Sequence, residues 1–216
     1  MQRAALEIAA AANNAIEQRG RAILVWSGGN TPRRLIPYLA TSDVDWSRVN
    51  FILGDERWVP LDSPQSNEGE MRRYLAGTPL QSAAITGLFT PGLDPAAGIG
   101  AAKARIAGLL DQPADLSLLG VGDDGHIASL FPEQGWSTRN DGEWLYSAPH
   151  PVSGETRISL TPAALWRSAR WLLLVTTPAK SVQWELALSG SPPTRTPVAI
   201  ALDPGAPPVE LIGPDA

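Results

Sequence analysis

The stretch ILVWSGGNTPRRL, Ile23–Leu35, carries the reading of the fold. Four apolar residues, Ile23 to Trp26, run without a polar break into Ser27, Gly28, Gly29, Asn30 and Thr31, and Pro32 follows where a helix can begin. A short, continuously apolar run suits a strand covered on both faces. The small residues at its end suit a tight strand-to-helix turn. Such a turn also lets backbone N–H groups approach an anion, with the helix N-terminus beyond Pro32 adding a favourable field. These residues alone leave both readings open. SGGNTP is neither a Walker A loop nor GxGxxG, so it gives nucleotide binding no support.

The same alternation continues along the chain. Met1 to Arg19 is Ala-rich and helical, with Gly20 as its stop. Ala22–Trp26 is the first strand, Pro32–Ala40 a helix, and Val49–Glu56 a second buried strand ending in charge. A helix is expected around Met71, another over Ala96–Gln112, a third strand over Asp115–Gly122 and a fourth over Trp171–Thr177, followed by the helix PAKSVQWELALSG. EWLYSAPH and RISLT read as shorter strands, and the proline-rich tail PVAIALDPGAPPVELIG as one or two edge strands. The pattern predicts one α/β domain over residues 1–216, a mainly parallel Rossmann-like sheet with helices on both faces and room for a small annex of short strands.

Composition narrows the chemistry. With 216 residues, 44% of them hydrophobic, a sizeable core is expected. There are no cysteines, which removes disulfides, thiolate catalysis and Cys-based metal sites. The two histidines are far apart, so no metal-ligand spacing is present, and no metal or other cofactor is expected. Net charge is −5 with no Lys/Arg run, which argues against a nucleic-acid surface and leaves any anionic ligand to a local basic pocket. No apolar run approaches the ~20 residues of a membrane span, and the N-terminus lacks a signal-peptide core. A soluble, cytoplasmic protein is the expectation.

The strong strands end in SGGNTP, GDERWVP, GVGDDGHIASLFP and TTPAK. Ligands of open α/β sheets bind outside the carboxyl ends of the strands, so these four segments converge on one predicted site. Together with SN at Ser66–Asn67 and RISLT from Arg157, they resemble the motif series of the 6-phosphogluconolactonases, which share a superfamily with the glucosamine-6-phosphate deaminases. The resemblance runs from about Ala22 to Gly190, and DGHIASLFP is its most specific part. No strand precedes the first helix, Thr177-Pro178 stands where the family carries a glycine and a small residue, and the C-terminal tail matches poorly.

Each candidate residue has a chemical and a structural reading. His126 could merely pack in a Gly-rich turn, yet Asp124 two residues away can orient an imidazole and raise its basicity. The resemblance implies that His126 is the general base. Arg57 offers a planar, permanently charged fork to a substrate oxygen, and the resemblance implies a substrate contact. Asp55 and Glu56 are expected to orient Arg57, with Asp55 also counted among the substrate-binding residues. Lys180 falls in the first turn of a predicted helix, where a cation is unfavourable unless an anion compensates it. The resemblance makes it a phosphate contact, beside Ser27, Gly28, Gly29, Asn30 and Thr31. Arg157 is a second phosphate or substrate contact by resemblance, or a strand-end charge. Asn67 matches the family's Ser-Asn pair, or is a helix cap. His150, in a proline-rich loop, is read as a surface residue, and the eight tryptophans as packing.

The resemblance thus implies hydrolysis of a sugar-phosphate lactone, 6-phospho-D-glucono-1,5-lactone, by a water that a histidine activates. No covalent nucleophile is indicated, because Ser27 lacks the Gly-x-Ser-x-Gly context. An amino-sugar-phosphate isomerase or deaminase is the alternative, but those relatives carry Asp-Glu-Tyr where this chain has DERWVP. A non-catalytic sugar-phosphate-binding domain of a regulator would need a helix-turn-helix, and only ~20 residues precede the first strand.

Overall fold

The structure is a computed structural model and describes residues 1–136 and 143–213. Helix α1 (Gln2–Arg19) buries Ala4, Ala5, Ile8, Ala12 and Ala15, a stripe with helical spacing. It ends where Gly20, at φ 77°, donates its N–H to Ile16 O. Strand β1 (Ala22–Trp26) is buried at every position. It leads into α2 (Asn30–Arg33) and α3 (Ile36–Leu39) rather than the single helix expected over Pro32–Ala40. Pro37 has no N–H for the carbonyl of Arg33, and the backbone tightens just before it, with Arg34 and Leu35 bonding back to Thr31 and Pro32.

The second expected strand also divides. Strand β2 (Val49–Leu53) and strand β3 (Asp55–Arg57) are separated by Gly54, whose N–H bonds to Trp26 O and whose carbonyl accepts from Leu160. The chain therefore leaves one sheet and enters another within a single residue. Helix α4 (Asn67–Leu75), strand β4 (Ala84–Thr86) and helix α5 (Pro95–Ala107) follow. Among the α5 glycines, Gly98 has a packing reason: a Cβ there would overlap the indole of Trp58. The remaining elements are β5 (Leu116–Gly120), β6 (Leu145–Pro149), β7 (Thr156–Leu160), α6 (Pro162–Trp166), β8 (Trp171–Leu174), α7 (Pro178–Leu188) and β9 (Val209–Ile212). Of the tail, only β9 is a strand, pairing with β8 at the sheet edge, while Pro197–Leu202 forms a 3₁₀ helix.

Six strands make a parallel sheet in the order β4-β2-β1-β5-β8-β9. Strands β3, β7 and β6 form a small antiparallel sheet, the expected annex. The core is built on the central strands, where Trp26 meets Phe51 edge to face at 5.3 Å and Trp46 stacks on Phe51. The chain runs outward from β1 through β2 to β4, then returns to the other side of β1 for β5, β8 and β9. The strand order reverses between β1 and β5, and their carboxyl ends are where such a fold leaves a crevice. No helix among the described residues is long and apolar enough to cross a membrane.

Candidate functional site

The turn after β1 and the turn after β5 meet at that crevice. Ser27 donates its N–H to Leu118 O, and its hydroxyl accepts the N–H of Gly120 at 3.1 Å, closing the seam between the two strands. Gly28 has a steric reason to lack a side chain, since a Cβ would overlap the amide of Asn67. Gly29, at φ 93°, holds a backbone conformation that disfavours L side chains. The helix that follows has four residues and starts at Asn30, so the field expected from a helix beyond Pro32 is not built. The anion-binding capacity of this turn lies in its own backbone N–H groups.

After β5 the chain folds a tight turn in which Gly122 N bonds to His126 O, and Gly125 N to Gly122 O. Gly125 sits at φ 85°. The Asp124 carboxylate accepts the backbone N–H of His126 at 3.1 Å and pairs with His126 Nδ1 at 2.6 Å. Burial pushes the Asp124 carboxyl up, but the hydrogen bond and charge of His126 outweigh it and hold the group below its ordinary value. An ionised carboxylate only accepts, so the shared proton belongs to Nδ1 and Nε2 keeps its lone pair in the neutral ring. Phe131 packs on that ring at 4.8 Å.

Strand β3 supplies Asp55 and Arg57, though not as expected. Asp55 Oδ2 accepts from Ser129 Oγ at 2.6 Å, and Asn67 Nδ2 donates to Asp55 O at 3.0 Å and to its Oδ1 at 3.2 Å. Glu56 turns to α4 instead, accepting the backbone N–H groups of Asn67 and Glu68, the Ser66 hydroxyl and the N–H of Arg57. Neither carboxylate holds the Arg57 guanidinium, which donates to Gln65 O at 2.5 Å. The α4 cap is Ser66, whose hydroxyl accepts from Gly69, so Asn67 is the first helical residue with its side chain spent on Asp55.

Arg57 lies directly across the β3–β7 ladder from Arg157. Like charges placed so are destabilising, and the Nε atoms of both are buried without an acceptor. Arg157 reaches Glu155 at 3.0 Å; burial first and then the charge of Arg57 hold its guanidinium below the ordinary value. An anionic or oxygen-rich guest between the two arginines would relieve their like-charge repulsion. Lys180 occupies the first turn of α7, as expected, with its N–H bonded to the Thr177 cap.

One cleft gathers Ser27–Thr31, Asp55, Arg57, Asn67, His126, Arg157 and Lys180, with Pro32, Gly120, Val121 and Ala128 completing the wall. Asp124 holds His126 from outside that lining. Among the described residues, no group of three or more His, Cys, Asp or Glu could hold a metal ion. Reading the sequence missed Ser129, Phe131 and Gly122, although all three lie in GVGDDGHIASLFP; a Cβ on Gly122 would overlap the His126 ring and Asp124. His150, expected at the surface, is partly exposed there, and its ring also meets Phe131 at 4.7 Å.

Fold and cleft define an α/β protein with a cationic cleft and a carboxylate-held imidazole at the switch point of its sheet. The family described as glucosamine-6-phosphate isomerases/6-phosphogluconolactonase matches residues 1–209, so the likeness includes α1, which precedes the motifs. A 6-phosphogluconolactonase of Pseudomonas aeruginosa is 34% identical over 210 residues, covering 90% of this chain and 83% of its own. One from Caulobacter vibrioides is 36% identical over 205 residues, covering 92% and 86%. The crystal structure of a 6-phosphogluconolactonase from Shewanella baltica superposes with a TM-score of 0.90 at 29% identity, over 98% of this chain and 91% of that one. The chain belongs to the glucosamine-6-phosphate isomerase/6-phosphogluconolactonase family. Within it, the chain is an enzyme of the 6-phosphogluconolactonase type, a hydrolase.

Proposed function

We propose that the protein hydrolyses 6-phospho-D-glucono-1,5-lactone to 6-phosphogluconate, with His126 as general base. The observation that carries this reading is the 2.6 Å pair between Asp124 and His126 Nδ1, which leaves Nε2 free to take a proton in a cleft with three cationic side chains. Water gives its proton to Nε2 as its oxygen bonds to the lactone carbonyl carbon. Arg57 faces the oxyanion of the tetrahedral intermediate. Collapse breaks the bond to the ring oxygen, which takes the proton back from His126. The Ser27–Thr31 turn and Lys180 hold the phosphate, with Arg157 as a further contact, and this remote anchor positions the carbonyl. Asn67 and Asp55 shape the cleft between them. A cytoplasmic place of work belongs to the same reading, supported by the phosphorylated substrate class.

His126→Asn tests it. Asn keeps a polar side chain but cannot shuttle a proton at neutral pH. Turnover of freshly generated lactone, corrected for spontaneous opening, should fall by about 10²–10⁴-fold. Calorimetry should show 6-phosphogluconate still binding, because other residues hold its phosphate. Near-wild-type hydrolysis refutes the base. Loss of both, with an intact fold by circular dichroism, would make His126 a ligand-binding residue and favour a non-catalytic domain. Ammonia release from glucosamine 6-phosphate, assayed alongside, reads out the deaminase alternative.

A further inference from the structure

The chain has two histidines, 24 positions apart in number, and the structure brings both to one ring. Phe131 is buried, with its centroid 4.8 Å from the His126 ring and 4.7 Å from the His150 ring. It is fixed in turn, since Trp136 Nε1 donates to its carbonyl at 2.6 Å.

His150 is held as firmly. It opens the turn between β6 and β7, where its N–H donates to Glu155 O at 2.8 Å and its carbonyl accepts from Gly154 at 2.9 Å. Its Nδ1 accepts the N–H groups of Val152 at 3.2 Å and Ser153 at 3.1 Å. Two donors aimed at Nδ1 require a lone pair there, so the neutral ring carries its proton on Nε2. The turn ends in Glu155, which pairs with Arg157 in the cleft. One imidazole thus has two connections to the site, its ring through Phe131 to His126 and its Nδ1 through the turn to Arg157. An Asn or Asp would satisfy the turn, and a plain aromatic ring would cover Phe131. Histidine does both.

We propose that His150 is a positioning residue of the reaction, steadying the His126 ring through Phe131 and the Glu155–Arg157 pair through its turn. The inference rests on the reading of His126 as the base. The charged and titratable groups that face His150 are Arg157, His126, Asp124 and Glu155. Burial, then the charges of Arg157 and His126, hold the ring below its ordinary value against the pull of the two carboxylates, in keeping with an Nδ1 that only accepts.

Two substitutions separate the two connections. His150→Asn keeps an acceptor for the turn and removes the ring on Phe131. His150→Phe keeps the ring and removes the acceptor. With the full chain and lactone corrected for spontaneous opening, His150→Asn should lower kcat roughly tenfold with KM near wild type, and His150→Phe should raise KM roughly tenfold with kcat near wild type. Should His150→Asn fail to fold, Phe131→Leu takes its place with the same kcat expectation. A wild-type kcat in the first variant, a wild-type KM in the second, or equal loss of both parameters in both, overturns the proposal. His126→Asn keeps the two readings apart. If it retains wild-type turnover, the base falls and this inference with it. If it is inactive while both His150 variants behave as wild type, this inference falls alone.

Discussion

Lys180 and Glu56 show how a single side chain's surroundings set its role. Lys180 sits where the helix field of α7 opposes a cation, beside the Ser27–Thr31 turn and without a carboxylate partner among the described residues. Lys180→Ala should raise KM and weaken 6-phosphogluconate binding roughly ten- to a hundredfold, the worth of one charge-assisted contact. Unchanged values for both would remove it from the phosphate site. Glu56 is fully buried, and burial pushes its carboxyl from 4.5 up to about 7 against the backbone N–H groups that favour the anion. Between those values the folded chain binds the proton that the unfolded chain has released. Its stabilising contribution is complete below about pH 4.5 and is lost as pH rises through about 7, a change of about 3 kcal/mol. Glu56→Gln cannot titrate. Denaturant unfolding at about pH 4.5 and about pH 8 should show a pH difference smaller than wild type's by about that amount. The variant should also be about 1–3 kcal/mol less stable below pH 4.5, because its amide turns a donor toward another donor. Parallel pH dependence in the two proteins would show that Glu56 does not titrate in this window.

At the scale of elements, close backbone approaches decide where strands and turns meet. At Gly54 the chain passes from one sheet to the other, its N–H bonded to Trp26 O and its carbonyl to Leu160, which places Arg57 opposite Arg157 rather than at the end of a longer β2. Gly122 lets the His126 ring fold back over its own turn. Gly122→Ala should therefore displace His126 and Asp124 together, lowering kcat at least roughly tenfold. Its stability cost should stay near the ~1–3 kcal/mol of local overpacking, and 6-phosphogluconate should still bind. Wild-type kcat in a folded variant would mean that the turn tolerates the methyl and that the close approach has no catalytic consequence.

At the scale of the whole molecule, the cleft is assembled from both sheets and α7, so a ligand that fills it ties them together. 6-Phosphogluconate at about a hundred times its Kd should stabilise the fold by about 2.7 kcal/mol, or roughly 5–10 °C in Tm for a chain of this size. His126→Asn should keep that shift. Lys180→Ala should lose roughly half or more of it at the same ligand concentration. Equal shifts in wild type and Lys180→Ala would place the ligand elsewhere.

The sequence by itself determined the class of fold and most of the residues that line the cleft, because both are written in local patterns. Continuous apolar runs such as Ala22–Trp26 specify strands covered on both faces, and the polar segments that end them place Ser27–Thr31, Arg57, His126 and Lys180 at one edge. Local pattern also contained the Asp124–His126 pair, two residues apart. Only the tertiary structure decided the partners that lie far along the chain. Asp55 belongs to Ser129, 74 residues away, and not to Arg57. Arg57 faces Arg157, and His150 reaches His126 through Phe131. Even the broken helix at Asn30–Leu39 turned on one missing N–H at Pro37. A residue's periodicity and its immediate neighbours set its own conformation, whereas the partner of a polar side chain is set by strand order and register, which bring distant segments into hydrogen-bonding range.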